Sequence, residues 1–524
     1  MKDQRTAMVK SCPDIVAEAC QPDLGKGRIR GRQWMTLAMV AFMAGACSNS
    51  DEGLQVGQVD YITGFVGGVA ADEPRAAIVA RDVLSAGGSA ADAVTAAALT
   101  YAVTYPSAAG LGGGGFCVIA DSFRRKTETI EFPAVAAQAG GSIAVPGLMR
   151  GLGLLQSRHG KLRWENVVIH AEQLARFGDG TSRALVRSAT ETRPPAAENP
   201  DLAPLLRDPR GRLYAEGETR MQQKLASSLA RLRSAGAADF YQGALAQTFL
   251  ADAAAGGGRI TADELRAYAA QIGKPIELEF DNSMQVYTSS NAGGGAVAAW
   301  LIEQGFEKGG VFGEGKFLPA RFAENIGQAY RGAGADAPVI GYGSSSIAAM
   351  DRNGLGVACA FSMGPAFGTK TIGRETGILF AAPPGSPGDE SAYMAALVVT
   401  NPRIYQTVFA AAASGGAPAA AALAQTVLQG AFTLSDAEKK DAAPPTLAKP
   451  RLFHAGGQAP ALAEAGADPA MLAPLRQRGI AITQAERLAR VNMAYCVMGM
   501  QRAPETCSFA ADRRGYGLAI GRQF

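Results

Sequence analysis

Three serines follow directly behind a glycine in Gly341-Tyr342-Gly343-Ser344-Ser345-Ser346, and the chain then runs into the apolar Ile347-Ala348-Ala349-Met350-Asp351. Arg352-Asn353-Gly354 is a turn signature and Leu355 to Phe361 a second short apolar run, so the stretch predicts strand, turn, strand. A hydroxyl at the head of such a hairpin, with an unbranched glycine behind it, is placed to attack that glycine's carbonyl. The chain would be cut between Gly343 and Ser344 through an ester that water releases, leaving Ser344 as an amino terminus. A serine hydroxyl needs a base within hydrogen-bond reach. The freed α-amine, with a reference pKa of about 7.7 to 8.0, can take its proton directly or through water. Nucleophile and base become one residue. The sequence holds neither a Ser-His-Asp set nor a Gly-x-Ser-x-Gly elbow to offer a different route. Taken alone, the serine run also fits a flexible surface loop.

The elements that must position this hairpin are legible around it. Ala71 to Gly88 reads as a helix stopped by glycine, and Ser89 to Tyr101 as a second helix of small residues that can pack closely on the first. Gly112-Gly113-Gly114-Gly115 is a turn into the apolar Phe116-Cys117-Val118-Ile119-Ala120, a central strand. These glycines precede their strand and no Lys-Ser or Lys-Thr follows, which argues against a phosphate cradle. Helices are expected over 222–232, 238–243 and 260–268, the last with a Thr261/Glu264 capping box. Ile276 to Phe280 alternates as a strand, and a strand at Val286 leads through glycines into a helix from Ala296 to Glu303. Beyond Ser344, 377–382 and 394–400 read as sheet, 411–428 as a helix interrupted at Ser414-Gly415-Gly416, and 436–450 as an exposed linker. His159 reads as a surface or structural residue.

The chain resembles the γ-glutamyltransferase family of N-terminal-nucleophile hydrolases. Gly87-Gly88-Ser89-Ala90-Ala91-Asp92-Ala93, Pro106 and the glycines up to Phe116 are similar to a hallmark near the amino end of that family's large subunit. The family's Thr-Thr-His-x-Ser-x-x-Asp segment, aligned on Asp351, puts Ser344 at the nucleophile, serine replacing threonine. The resemblance implies an α/β (α+β) fold, a four-layer αββα sandwich, divided into a large subunit 48–343 and a small subunit 344–524 that stay associated after self-cleavage. It implies that Ser362 is a second hydroxyl hydrogen-bonded to the nucleophile. Ser414-Gly415-Gly416, similar to the family's Pro-Gly-Gly, implies an oxyanion site made by the Gly415 and Gly416 amides. The substrate ligands depart from the pattern: Pro133 stands where an arginine holds the substrate carboxylate, Gly364 where an asparagine follows the second hydroxyl, Ala381-Ala382 for an Asn-Asn pair and Ala392-Tyr393 for paired serines. A γ-glutamyl head would lose a bidentate clamp and several hydrogen bonds. The implied activity is hydrolysis or acyl transfer on a small-molecule amide through an acyl-Ser344 ester, with an acyl group less polar than γ-glutamate. The alternative is a catalytically silent envelope protein that keeps the fold as a binding or scaffold module.

At 524 residues the chain can bury a large core, and a net charge of +3 gives no electrostatic case for nucleic acid. Its 64 glycines accompany 48% hydrophobic residues, a mixture that suits close packing rather than disorder. Lys26, Arg28, Arg30 and Arg32 precede the apolar Met35 to Ala46, the order of a secretory leader and too short for a comfortable membrane span. Ala44-Gly45-Ala46-Cys47 resembles a lipobox, so residues 1–47 are expected to be a leader, with Cys47 the acylated first residue of a periplasmic, lipid-anchored protein; ordinary cleavage with Cys47 incidental is the alternative. Cys117 and Cys359, in apolar runs, read as buried small side chains. Cys496 and Cys507 lie close together in an exported chain and read as a disulfide contributing roughly 2 to 3 kcal/mol. Cysteine spacing does not fit zinc, and three histidines are few, so neither metal nor cofactor is expected.

Overall fold

A seven-stranded and a six-stranded sheet, both antiparallel, lie at the centre of the computed structural model, which describes residues 67–281, 284–308, 315–330, 341–430 and 442–521. The leader, Cys47 and part of the 436–450 stretch lie outside the described residues. In chain order the strands are β1 (Gly67–Ala71), β2 (Gly114–Asp121), β3 (Lys126–Phe132), β4 (Gln271–Gly273), β5 (Ile276–Asp281), β6 (Met284–Thr288), β7 (Ser344–Asp351), β8 (Leu355–Ser362), β9 (Ala395–Asn401), β10 (Gln406–Ser414), β11 (Arg490–Cys496), β12 (Cys507–Ala510) and β13 (Leu518–Gly521). The first sheet runs β13-β1-β7-β8-β2-β3-β4 and the second β12-β11-β10-β9-β6-β5.

Alternation along each strand makes two cores. Phe116 and Val118 of β2 meet Ala358 and Ala360 of β8, Val398 of β9 and Ala410 of β10 between the sheets. Cys117 and Ile119 point the other way, into a core shared with helices α1 (Pro74–Ser85), α2 (Ala90–Thr104), α3 (Leu148–His159) and α4 (Trp164–Phe177). Helices α5 (Gly295–Gly305), α6 (Pro319–Ala329) and α7 (Ala419–Gln429) cover the outer face of the second sheet through Leu301, Phe322 and Leu423. The result is the expected αββα sandwich. Central strands covered on both faces read as unbroken apolar runs rather than as alternating ones.

The glycine motifs of the sequence serve this packing. All fifteen residues of α2 are buried, and a Ser89/Asp92 capping box starts it. Asp351 reaches from the end of β7 to accept the Ala90 amide at 3.1 Å. A Cβ on Gly112, Gly113, Gly114 or Gly115 would lie 2.1–2.5 Å from backbone atoms of Leu379, Ser362, Ala134 or Ala360, closer than real Cβ contacts come. Gly113 and Gly115 so leave room for β8, and Gly112 and Gly114 for the segments at Leu379 and Ala134.

Several expectations are corrected. Residues 406–414 form the central strand β10, and the helix starts only at Ala419; alanine is compatible with both, and here its small side chain fits between closely stacked layers. Residues 377–382 give only isolated bridges, Phe380 to Gly112 and Leu379 to Ile372. In place of an exposed linker, Ala443–Ala448 is a short helix with Ala443, Thr446 and Leu447 buried. Cys117 and Cys359 are not free thiols: facing each other across β2 and β8 with Cα atoms 4.1 Å apart, they form a disulfide. Cross-strand pairing, invisible at a sequence separation of 242, brings them together. Cys496 and Cys507 are bonded as expected, across β11 and β12.

Candidate active site

Ser344 is the first residue of β7 and sits opposite Ser362, the last residue of β8, in the ladder register. Both are buried. The Gly343 carbonyl oxygen accepts two hydrogen bonds, from Ser362 Oγ at 3.0 Å and from the Met363 amide at 3.0 Å. Ser344 Oγ donates to Glu390 Oε2 at 2.6 Å and accepts the Gly415 amide at 2.9 Å. Glu390 Oε1 accepts the Gly343 amide at 2.7 Å. Arg490 Nη1 and Nη2 donate to the carbonyls of Gly341 and Ser344, each at 2.9 Å. Residues 341–344 are therefore held on both sides of the Gly343–Ser344 bond. Gly343 has to be glycine, since a Cβ there would lie 2.5 Å from the Gly364 carbonyl oxygen.

A second buried network fixes these groups against each other. Asp72, between β1 and α1, accepts the Ser346 amide at 3.0 Å, Ser414 Oγ at 2.7 Å and Asn492 Nδ2 at 2.8 Å. The Tyr101 hydroxyl accepts the Asp72 amide at 2.7 Å and donates to the Ser346 carbonyl at 2.9 Å. One carboxylate so ties the start of β7 to the end of β10, and Ser414 leads directly into Gly415. Gly415 and Gly416 take φ of +99° and +94°, the left-handed region that favours glycine. The turn they make aims the Gly415 amide at Ser344 Oγ.

The site is electrostatically mixed. Burial raises the Glu390 carboxyl above the ordinary carboxylate range, although the bonds from Ser344 and Gly343 and the charge of Arg490 oppose this. Burial pushes the Arg490 guanidinium down, but the surrounding Tyr105, Asp72, Glu390 and Tyr342 outweigh it and hold the group above its usual value. Arg490 Nε is 3.6 Å from Asp72 Oδ2.

Of the residues singled out from sequence, Gly343, Ser344, Ser362 and Gly415 converge. Ser362 Oγ lies on the Gly343 carbonyl, and accepts the Gly364 amide at 2.9 Å, rather than on the Ser344 hydroxyl. Gly415 alone of the glycine pair donates to Ser344 Oγ. Glu390, Arg490, Asp72 and the Met363 amide were not singled out. Gly388-Asp389-Glu390-Ser391 looks like any polar loop, and Asp72 like a helix start; Arg490 and Asn492 left a signal, a charge and an amide inside an otherwise apolar strand. The substituted ligand positions adjoin Ser362: the Ala382 amide donates to the Met363 carbonyl at 3.1 Å, and Met363 and Ala381 share an apolar cluster with Phe367, Leu379 and Leu205. Pro133 offers only its carbonyl, which takes the Tyr268 hydroxyl at 2.6 Å. His159 is structural, buried against Glu128 at 2.9 Å. Among the described residues no cluster of His, Cys, Asp or Glu could hold a metal, and no helix is long and apolar enough to cross a membrane.

The sequence profile of the family described as Gamma-glutamyltranspeptidase matches residues 76–308. Scoloptoxin SSD14 of Scolopendra dehaani is 32% identical over 251 residues, 45% of this chain and 44% of that protein. Glutathione hydrolase 2 of Arabidopsis thaliana is 30% identical over 260 residues, 47% of this chain and 44% of its own. The glutathione hydrolase proenzyme of Escherichia coli K12 is 25% identical over 437 residues, 67% of this chain and 74% of its own. Nearly half of this chain, residues 76–308, is thus similar to the γ-glutamyltranspeptidase family. The match spans less than half the length of the first two relatives. The fold extends further than the sequence similarity: a cephalosporin acylase structure from Bacillus halodurans superposes with a TM-score of 0.69 at 18% identity, covering 91% of this chain and 99% of the acylase.

Proposed function

We propose that this chain belongs with the γ-glutamyltranspeptidase-like N-terminal-nucleophile hydrolases, cuts itself between Gly343 and Ser344 and then works as an amidohydrolase or acyltransferase through an acyl-Ser344 ester. The observation that carries the reading is the placement of one buried hydroxyl beside a glycyl carbonyl that already accepts two donors. After the cut, the Ser344 α-amine takes the hydroxyl proton and Oγ attacks the substrate carbonyl. The tetrahedral oxygen is received by the amides of the Gly415-Gly416 turn, the amine leaves with the proton, and water or an acceptor takes the acyl group.

The piece before the cut contributes β1 to β6 and the piece after it β7 to β13. Because β7 and β8 lie between β1 and β2, the two pieces share one sheet and stay together. Apolar Met363, Phe367, Leu379 and Ala381 beside Ser362 support an acyl group less polar than γ-glutamate. Two disulfides and a leader ending at Cys47 support an oxidising compartment and a lipid-anchored protein of the periplasm. The test is turnover of acyl anilides by purified wild type and Ser344→Ala protein. Release of anilide by the wild type only, faster from apolar acyl groups than from γ-glutamyl, is expected. Equal release by both proteins contradicts a role for Ser344.

A further inference from the structure

The self-cut needs a base that the mature mechanism does not supply. While the Gly343–Ser344 bond is intact, the Ser344 nitrogen is an amide nitrogen, its lone pair delocalised into the carbonyl, and it cannot take the hydroxyl proton. We infer that Glu390 is the catalytic base of this first step, which rests on the reading that the chain cuts before Ser344. Its carboxylate straddles the scissile pair, Oε2 on the Ser344 hydroxyl at 2.6 Å and Oε1 on the Gly343 amide at 2.7 Å.

The carboxylate is held for that task. Its own backbone amide donates to the Gly364 carbonyl at 3.2 Å, in the strap that follows Ser362. A Cβ on Gly341 would lie 2.2 Å from the Glu390 carboxyl carbon, so glycine at 341 leaves the room that the carboxylate fills. The other acids nearby are engaged elsewhere: Asp72 on Ser346, Ser414 and Asn492, Glu191 on Tyr342 and Arg487. The charged groups facing Glu390 are Arg490 from β11 and its neighbour Asp389. With the group only 2% exposed, burial makes the carboxylate a stronger proton acceptor than one in water.

Atoms balance along this path. Glu390 takes the Oγ proton as the Oγ–C bond to Gly343 forms, and the Gly343 oxyanion is received by Ser362 Oγ and the Met363 amide. The C–N bond then breaks and Glu390 returns the proton to the Ser344 nitrogen. Solvent water hydrolyses the ester, leaving a Gly343 carboxylate and a free Ser344 amine and hydroxyl. The two donor sets thus meet different atoms: Ser362 Oγ and the Met363 amide the Gly343 carbonyl oxygen, and the Gly415 amide Ser344 Oγ.

The test follows full-length chains pulse-labelled in cell-free synthesis and chased in buffers from about pH 4.5 to 8.5, with the cut scored by intact mass. Glu390→Gln keeps the shape and is expected to slow cutting roughly a hundredfold or more, while Glu390→Asp recovers part of the rate. The wild-type rate is expected to fall as pH drops through an ionisation above the ordinary carboxylate range, and the Gln variant to lose that limb. A Gln variant that cuts within about threefold of wild type, with the same acid limb, overturns the base while self-cleavage stands. Should the variant not fold, the wild-type profile decides, and a rate independent of pH overturns the inference. A wild-type chain that stays whole takes down both this inference and the reading beneath it.

Discussion

Ser362→Ala removes one of the two donors on the Gly343 carbonyl oxygen and leaves the Met363 amide in place. Removing one donor from a preorganised oxyanion site costs about 2.7–4 kcal/mol of barrier, roughly a hundred- to thousandfold in rate. Both donors here are buried and 3.0 Å from the oxygen, so the full range applies. The substitution also strips the acceptor of the Gly364 amide, a loss of about 1 kcal/mol that falls on folding rather than on the cut. Ser362→Thr keeps the hydroxyl and controls for it. Pulse-labelled precursor, chased at pH 7.5 and resolved on reducing gels, should show the Ala variant accumulating uncut, at least about fiftyfold slower than wild type, with Thr close to wild type. Cutting by Ser362→Ala within about twofold of wild type would refute the assignment of Ser362 to the scissile carbonyl.

The Cys117–Cys359 bond joins a residue before the proposed cut to one after it, so a chain processed there is expected to run as one band on denaturing gels without reductant and as two with it. Replacing both cysteines by serine should give two bands in either case and a stability loss of about 2 to 5 kcal/mol by chemical denaturation; two bands from the wild type without reductant contradict the pairing. Glu128 supplies a pH dependence of stability. Burial would raise its pKa, but hydrogen bonds from Arg158, Lys126 and His159 outweigh this and hold it down at about 2. Between that value and the ordinary carboxylate range the unfolded chain binds more protons, so stability rises with pH there and is lost as pH falls through about 2. Urea unfolding at a series of pH values should show a shallower acid loss in Glu128→Gln than in wild type, and identical slopes would contradict the assignment.

The hairpin was legible because its signals are local. Serines behind a glycine, a turn of Asp351 to Gly354 and two apolar runs occur within one short stretch, and the structure has β7 and β8 there. The capping boxes at Ser89/Asp92 and Thr261/Glu264 were legible for the same reason. What distance in sequence hides was not. Glu390 meets Ser344 across 46 residues, Arg490 across 146, and the Asp72–Asn492 bond spans 420. No local pattern marks a loop glutamate that will be buried or a cysteine that will face another across a ladder. Strand β10 was misread because a run of alanines carries no period, and its place between two covered layers decides its conformation.

The proposed cut between Gly343 and Ser344 is the step on which the chemistry rests. Amino-terminal sequencing of the smaller fragment from purified wild-type protein, with Ser344→Ala prepared alongside, tests it directly. A fragment beginning Ser344-Ser345-Ser346-Ile347 is expected from the wild type and an uncut chain from the variant. A first residue other than Ser344, or the same fragment from Ser344→Ala protein, would contradict it.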